Sequence, residues 1–182
     1  MERAEAAYRN YEFHTIYHGL VQFCTVDLSN VYMDVTKARM YCDAPGSRER
    51  LSGQTAYWLV LRALLKVAAP ILSFTSEEAW EFLPKEAGAE ESVFLTAFPV
   101  EAKAWRDDAL GATWEELLEV RQEVQRALEK VRVPRRQKKE GQIGSSQEAH
   151  VTVQARGKTL ELLRDYEDKL VAIFIVSSVG LE

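Results

Sequence analysis

The sequence predicts a mainly α-helical bundle followed by a small α/β element, and three observations carry that prediction. Apolar residues recur at helical spacing through most of the first 134 residues. Pro70 and Pro134 stand where two of those periodic runs stop, as residues that remove a backbone donor and end a helix. Beyond Pro134 the pattern changes to a basic tract, an alternating run and a continuous apolar run. The expected division is a helical bundle over 1–134, then a basic linker and small β-α-β element over 135–182.

The first helix is expected over residues 2–24, where Ala4, Ala7, Tyr8, Tyr11, Ile16, Leu20 and Phe23 keep partial register. A second is expected over 26–41, carried by Leu28, Val31, Tyr32, Val35, Ala38 and Met40. Asp43-Ala44-Pro45-Gly46-Ser47 reads as a turn. A third helix is expected over 48–68. It is apolar on most of its surface from Tyr57 onward, as a helix central to a bundle should be.

After Pro70 a short helix is expected over 76–83. Thr75 or Ser76 would accept from its free N–H groups, and Thr75-x-x-Glu78 has the form of a capping box. Glu77 and Glu78 suit the positive end of its dipole. Residues 85–108 read as irregular, with Ser92-Val93-Phe94-Leu95 pinning the loop onto the bundle. A fourth long helix is expected over 113–133, with Leu117, Val120, Val124, Leu128 and Val131 as its buried stripe. Residues 135–144 read as basic and flexible. Val151 to Ala155 alternates like a strand, 157–169 looks helical, and 170–176 reads as the second strand of one small sheet.

Composition narrows the function. The 182 residues are 47% hydrophobic and 28% charged, ordinary for a globular protein, and no run reaches membrane-spanning length. Cys24 and Cys42 lack zinc-type spacing, which points to a reducing, cytoplasmic compartment. Net charge is −5, whereas a dedicated nucleic-acid module is more often basic. Within that acidic total, Lys130, Arg132, Arg135, Arg136, Lys138 and Lys139 form one basic stretch. Such a stretch can hold a polyanion locally.

Catalytic chemistry finds little support. His14 and His18 have the i, i+4 spacing of metal ligands, but no third ligand is evident, and two ordinary helix residues are the expectation. Cys24 and Cys42 lie in helical pattern, where cysteine is usually a small apolar filler. Gly141-Gln142-Ile143-Gly144-Ser145-Ser146 lacks the order of a phosphate loop. The basic stretch reads in two ways: as cations complementing a helix C-terminus, or as phosphate contacts for RNA. Arg132, Arg135, Arg136, Lys138 and Lys139 are the RNA-binding candidates, with Arg121 and Arg126 on the preceding helix as secondary ones. Trp58, Trp80, Trp105 and Trp114 are candidate stacking platforms, against the commoner role of core residues. No catalytic and no metal-binding residue is assigned.

Several segments, in order, resemble the bacterial-type isoleucyl-tRNA synthetases beyond their catalytic core. Tyr11-Glu12-Phe13-His14 followed by Phe23-Cys24 is similar to that family's Tyr-Asp-Phe-His helix. Leu28-Ser29-Asn30-Val31-Tyr32-Met33-Asp34-Val35-Thr36-Lys37, Met40-Tyr41-Cys42-Asp43 and Arg50-Leu51-Ser52-Gly53-Gln54-Thr55 continue the likeness. So do Ser92-Val93-Phe94 and Val120-Arg121-Gln122-Glu123-Val124. The segment from Ala69 to Pro84 resembles the valine and leucine enzymes of the same class as well. Ile143-Gly144-Ser145-Ser146-Gln147-Glu148-Ala149 favours isoleucine.

The resemblance implies the helical-bundle anticodon-binding domain of a class I aminoacyl-tRNA synthetase. Its parent would use ATP, with magnesium, to ligate isoleucine to tRNA. The chain lacks the His-Ile-Gly-His and Lys-Met-Ser-Lys-Ser signatures of that activity, and the cysteine-rich zinc element found in many members. Arg9-Asn10 does not align with the family's Arg-Asn-Thr segment. The chain is therefore expected to be a monomeric recognition fragment, without cofactor of its own and missing the bundle's first helix. Its partners would be isoleucine-accepting tRNA and the catalytic and editing domains of the same parent chain, with no membrane. The alternatives are the same domain from a valyl- or leucyl-tRNA synthetase, or a helical protein-interaction module.

Overall fold

A computed structural model describes residues 2–99 and 105–182. The chain divides into two compact units, Met1–Arg106 and Asp107–Glu182. Composition changes at Pro134, whereas the contacts divide ahead of the long helix.

The first unit opens with α1 (Glu2–Arg9), closed by a left-handed residue, Tyr11, at φ 58°. The N–H groups of Tyr11 and Glu12 donate to the carbonyls of Tyr8 (3.2 Å) and Ala7 (2.8 Å), the paired pattern that satisfies a helix C-terminus. The break expected between residues 24 and 26 thus falls at Tyr11. From there α2 (Phe13–Gln22), a wide π-helical segment (Phe23–Met33) and α3 (Asp34–Cys42) run on without interruption. Neither Gly nor Pro stands between Phe23 and Cys42, so no residue forces a stop. Where a break was expected the helix loosens instead. The Thr25 hydroxyl donates to the Val21 carbonyl at 2.7 Å, competing with the backbone ladder.

Helix α4 (Arg48–Ala68) has the predicted bounds, and Ser47 caps it by accepting from the Arg50 N–H at 3.3 Å. It is tied to α3 through a buried threonine. The Thr36 hydroxyl donates to the Tyr32 carbonyl, and the Tyr57 hydroxyl donates to Thr36, both at 2.6 Å. Helix α5 (Ser73–Phe82) begins three residues earlier than predicted, with Leu72 at its cap and no side-chain cap bond. The predicted capping role of Thr75 and Ser76 is therefore corrected: both lie inside the helix. The chain turns so tightly after α4, with Ile71 and Leu72 N–H both on the Ala68 carbonyl, that helix resumes at once.

Two clusters form the core of this unit. Leu65, Ala69, Trp80, Leu83 and Val93 make one, so the 92–95 segment does pin the loop onto α4 and α5. Ala7, Ile16 and Val67 make the other, flanked by Tyr8 and Leu20.

The second unit is built on α6 (Asp108–Val131), which starts five residues earlier than predicted because Asp107 caps it, accepting from the Leu110 N–H at 2.9 Å. Then follow β1 (His150–Val153), α7 (Gly157–Asp165), α8 (Glu167–Phe174) and β2 (Ser178–Leu181). The strands pair in parallel, Val151 opposite Val179 and Val153 opposite Leu181, which requires the helical crossover between them. The predicted β-α-β order holds, but residues 170–176 are not its second strand. Leu170, Ile173 and Phe174 are buried at i, i+3, i+4 while Val171 is exposed, the pattern of a helix face. The strand lies beyond the left-handed residue Ile175, φ 58°.

Candidate nucleic-acid interface

The basic stretch grows out of the end of α6. Lys130 occupies the last turn, where the helix dipole favours a cation. Pro134 cannot continue the helix, and the chain turns back on itself. A short 3-10 turn, Arg135–Gln137, is closed by the Gln137 N–H on the Pro134 carbonyl at 2.8 Å. Gly141 takes φ 78°, which a side chain would disfavour. The return segment then pairs with the helix end: Ile143 N–H donates to Val131 at 3.1 Å and Val133 N–H to Ile143 at 2.9 Å. The stretch predicted to be flexible is therefore a hydrogen-bonded loop.

One carboxylate holds its base. Glu148 pairs with Lys138 and accepts the Gly144 N–H at 3.2 Å. The Gln142 side chain accepts the Lys139 N–H at 3.0 Å. Sequence reasoning did not single out Glu148 or Gln142, because both act across a turn whose closure is visible only in three dimensions.

The seven candidate cations do not share one environment. Arg136, Lys138 and Lys139 are exposed on the loop. Arg132 is exposed and pairs with Glu129 at 2.8 Å, while Arg126 pairs with Glu123, both at i, i+3 on the helix surface. Exposed pairs of this kind contribute little to stability and are screened by salt, so both guanidinium groups can exchange partners. The side chain of Arg135 lies outside the described residues. Arg121 differs from the rest: it is only 4% exposed, in the stripe with Leu117, Val124 and Leu128. That burial sets it apart from the exposed candidates and ties it to the packing of α6. The signal was present in its spacing, four residues after Leu117 and three before Val124.

The tryptophans separate in the same way. Trp80 is 2% exposed and its indole N–H donates to the Glu90 carbonyl at 3.0 Å, which makes it a core residue. Trp114 lies edge-on to Tyr166. Trp105 is 56% exposed, and Trp58 is half-buried under the Arg62 guanidinium. Burial pushes the Cys24 thiol up, away from the thiolate a nucleophile would need. Among the described residues no three His, Cys, Asp or Glu side chains are grouped to hold a metal, and no helix is long and apolar enough to cross a membrane.

The family model described as the anticodon-binding domain of tRNA ligase matches residues 1–153. An isoleucine–tRNA ligase of Symbiobacterium thermophilum is 45% identical over 184 residues, covering 100% of this chain and 19% of that protein. Isoleucine–tRNA ligases of Syntrophotalea carbinolica (44% over 180 residues) and Geobacter sulfurreducens (41% over 180 residues) match 98% and 99% of this chain. These are again 19% and 18% of the relatives' own length, so the chain spans about a fifth of the curated proteins it matches.

Proposed function

Since this chain belongs to the anticodon-binding domain family of tRNA ligases, we propose that it docks the anticodon stem-loop of an isoleucine-accepting tRNA, by recognition and not by catalysis. The observation that carries the reading is the match over 1–153, which includes the whole of the hydrogen-bonded basic loop. Arg132, Arg136, Lys138 and Lys139, together with Arg135, would contact phosphates, and Arg126 would extend the row along α6. Each such contact releases condensed counterions, so affinity should fall steeply with salt. An ordered loop loses less conformational freedom on binding than a flexible tail. Unpaired anticodon bases offer the edges and ring faces through which sequence-specific RNA recognition works.

The longer protein would be a cytoplasmic isoleucine–tRNA ligase that activates its amino acid with ATP and magnesium in a catalytic domain outside this chain. The net charge of −5 makes a local basic site more fitting than a general RNA-coating surface.

Binding of the protein to isoleucine tRNA and to a non-cognate tRNA across a salt series tests this. Tighter cognate binding is the expected result. The double variant Arg136→Ala, Lys139→Ala should lower the slope of log affinity against log salt by about 2. No binding at low salt, or a slope unchanged by the double variant, would overturn the assignment.

A further inference from the structure

The basic loop is not the only place in this chain with chemistry suited to RNA. A concave pocket of about 430 Å³ lies in the first unit, between α4 and the loop that follows α5. Trp58, Arg62 and Lys66 line it at i, i+4, i+8 on one face of α4, about 6 Å apart along the axis at 1.5 Å per residue. The Arg62 guanidinium carbon sits 5.1 Å from the centroid of the Trp58 ring. This contact holds a flexible side chain beside the ring and so positions a planar cation at the pocket wall.

The opposite wall is fixed by both indoles. The Trp58 N–H donates to the Pro84 carbonyl at 2.8 Å, and the Trp80 N–H to the Glu90 carbonyl at 3.0 Å. Lys85, from that wall, donates to the Glu91 carbonyl at 3.1 Å. Three cations, Arg62, Lys66 and Lys85, and two carboxylates, Glu86 and Glu90, therefore line one cavity.

We infer that this pocket binds one unpaired ribonucleotide of the RNA, its base against the Arg62–Trp58 pair and its phosphate toward Lys66 and Lys85. Guanidinium planes are common platforms for unstacked bases. The balance of charge argues against a polyphosphate, because two carboxylates oppose three cations. The same carboxylates suit a base, since they accept from the exocyclic amino groups that adenine and cytosine present. The volume falls within the range of small-ligand pockets. The inference rests on the RNA-binding reading above and adds to it a second contact, on α4 and independent of the basic loop.

The test follows the Trp58 indole N–H resonance of the whole protein, assigned with Trp58→Phe, during titration with single-stranded hexa-adenylate and separately with inorganic phosphate. Hexa-adenylate should shift it saturably and phosphate should not. Arg62→Ala and Arg62→Lys should both weaken that binding about tenfold, because the lysine restores the charge but not the plane. Unchanged thermal melting would show that both variants are folded, and the Arg136→Ala, Lys139→Ala variant should retain the shift. A resonance that does not move, that moves equally with phosphate, or that is insensitive to Arg62 would overturn the pocket. If tRNA binds as proposed while Trp58 stays silent, the pocket fails and the anticodon reading stands. If hexa-adenylate binds but tRNA does not, the reverse holds.

Discussion

Glu77 holds the loop after α5 through the backbone of Val93, its carboxylate accepting that N–H at 3.0 Å across 16 residues. The bond fixes a residue whose side chain is a member of the cluster around Trp80. A hydrogen bond to a charged group contributes about 1.5–3 kcal/mol. Glu77→Ala should therefore destabilise the first unit by about that amount in urea unfolding, and the Val93 amide should lose its protection from hydrogen exchange. Glu77→Gln keeps an acceptor and should lose about half as much. Equal losses in the two variants would show that an uncharged acceptor contributes nothing here, and no loss in Glu77→Gln would show that the charge contributes nothing.

Tyr8 makes the corresponding tie for the first helix. Its hydroxyl donates to the Val67 carbonyl at 2.6 Å, 59 residues away. Tyr8→Phe should cost about 1 kcal/mol, measured by urea unfolding. Burial pushes this phenol above its ordinary value of 10.0. Burial does the same at Tyr32, with a smaller contribution from the neighbouring Tyr57 and an opposing one from Arg39. The folded state then keeps protons that the unfolded chain has released, so stability should fall as pH rises past 10.0. Tyr8→Phe should flatten that fall between pH 9 and 11, roughly the range around the reference phenol value. A slope identical to that of the unsubstituted protein would remove Tyr8 from the account.

Tyr11 supplies the opposite case, a residue that stability would gain by changing. It stands at φ 58° in the turn between α1 and α2 and is 79% exposed. A left-handed conformation costs an L-residue roughly 1–2 kcal/mol, a cost that glycine does not carry. Against this stands one edge-on contact with Phe13, ring centroids 6.2 Å apart. Tyr11→Gly should raise stability by about 0.5–1 kcal/mol, with a matching rise in melting temperature. A lower melting temperature would mean that the contact with Phe13 outweighs the strain.

The same turn marks the limit of what the sequence discloses. The bounds of α4 were legible because a Pro45-Gly46-Ser47 turn precedes it and Pro70 follows. The end of α1 was not, since its left-handed residue is a tyrosine and carries no glycine signal. Serine and threonine at 73, 75 and 76 were all chemically able to cap α5. The choice was made by the chain path after Ala68, a tertiary fact. The apolar run at 170–176 fits a buried strand and a buried helix equally on composition, and only the exposure of Val171 separates them. At the site, the cations were legible as charge. Their grouping on one closed loop depends on Glu148 and the pairing of Ile143 with α6, which join residues up to twelve positions apart.

Arg121 and Arg136 separate packing from recognition. One is buried in the apolar stripe of α6, the other exposed on the loop. A buried arginine contributes through its apolar stem and through the polar groups it satisfies. Arg121→Gln should therefore lower the stability of the second unit by about 1–3 kcal/mol, while the folded protein keeps the salt slope of its tRNA binding. Arg136→Ala should do the reverse, leaving unfolding within about 0.5 kcal/mol of the unsubstituted protein and reducing the salt slope by about 1. Urea unfolding and tRNA titration between 50 and 200 mM salt, roughly the range over which phosphate contacts dominate, read both quantities on the same preparations. A slope that falls with Arg121→Gln and not with Arg136→Ala would move the RNA-facing surface off the loop and onto α6.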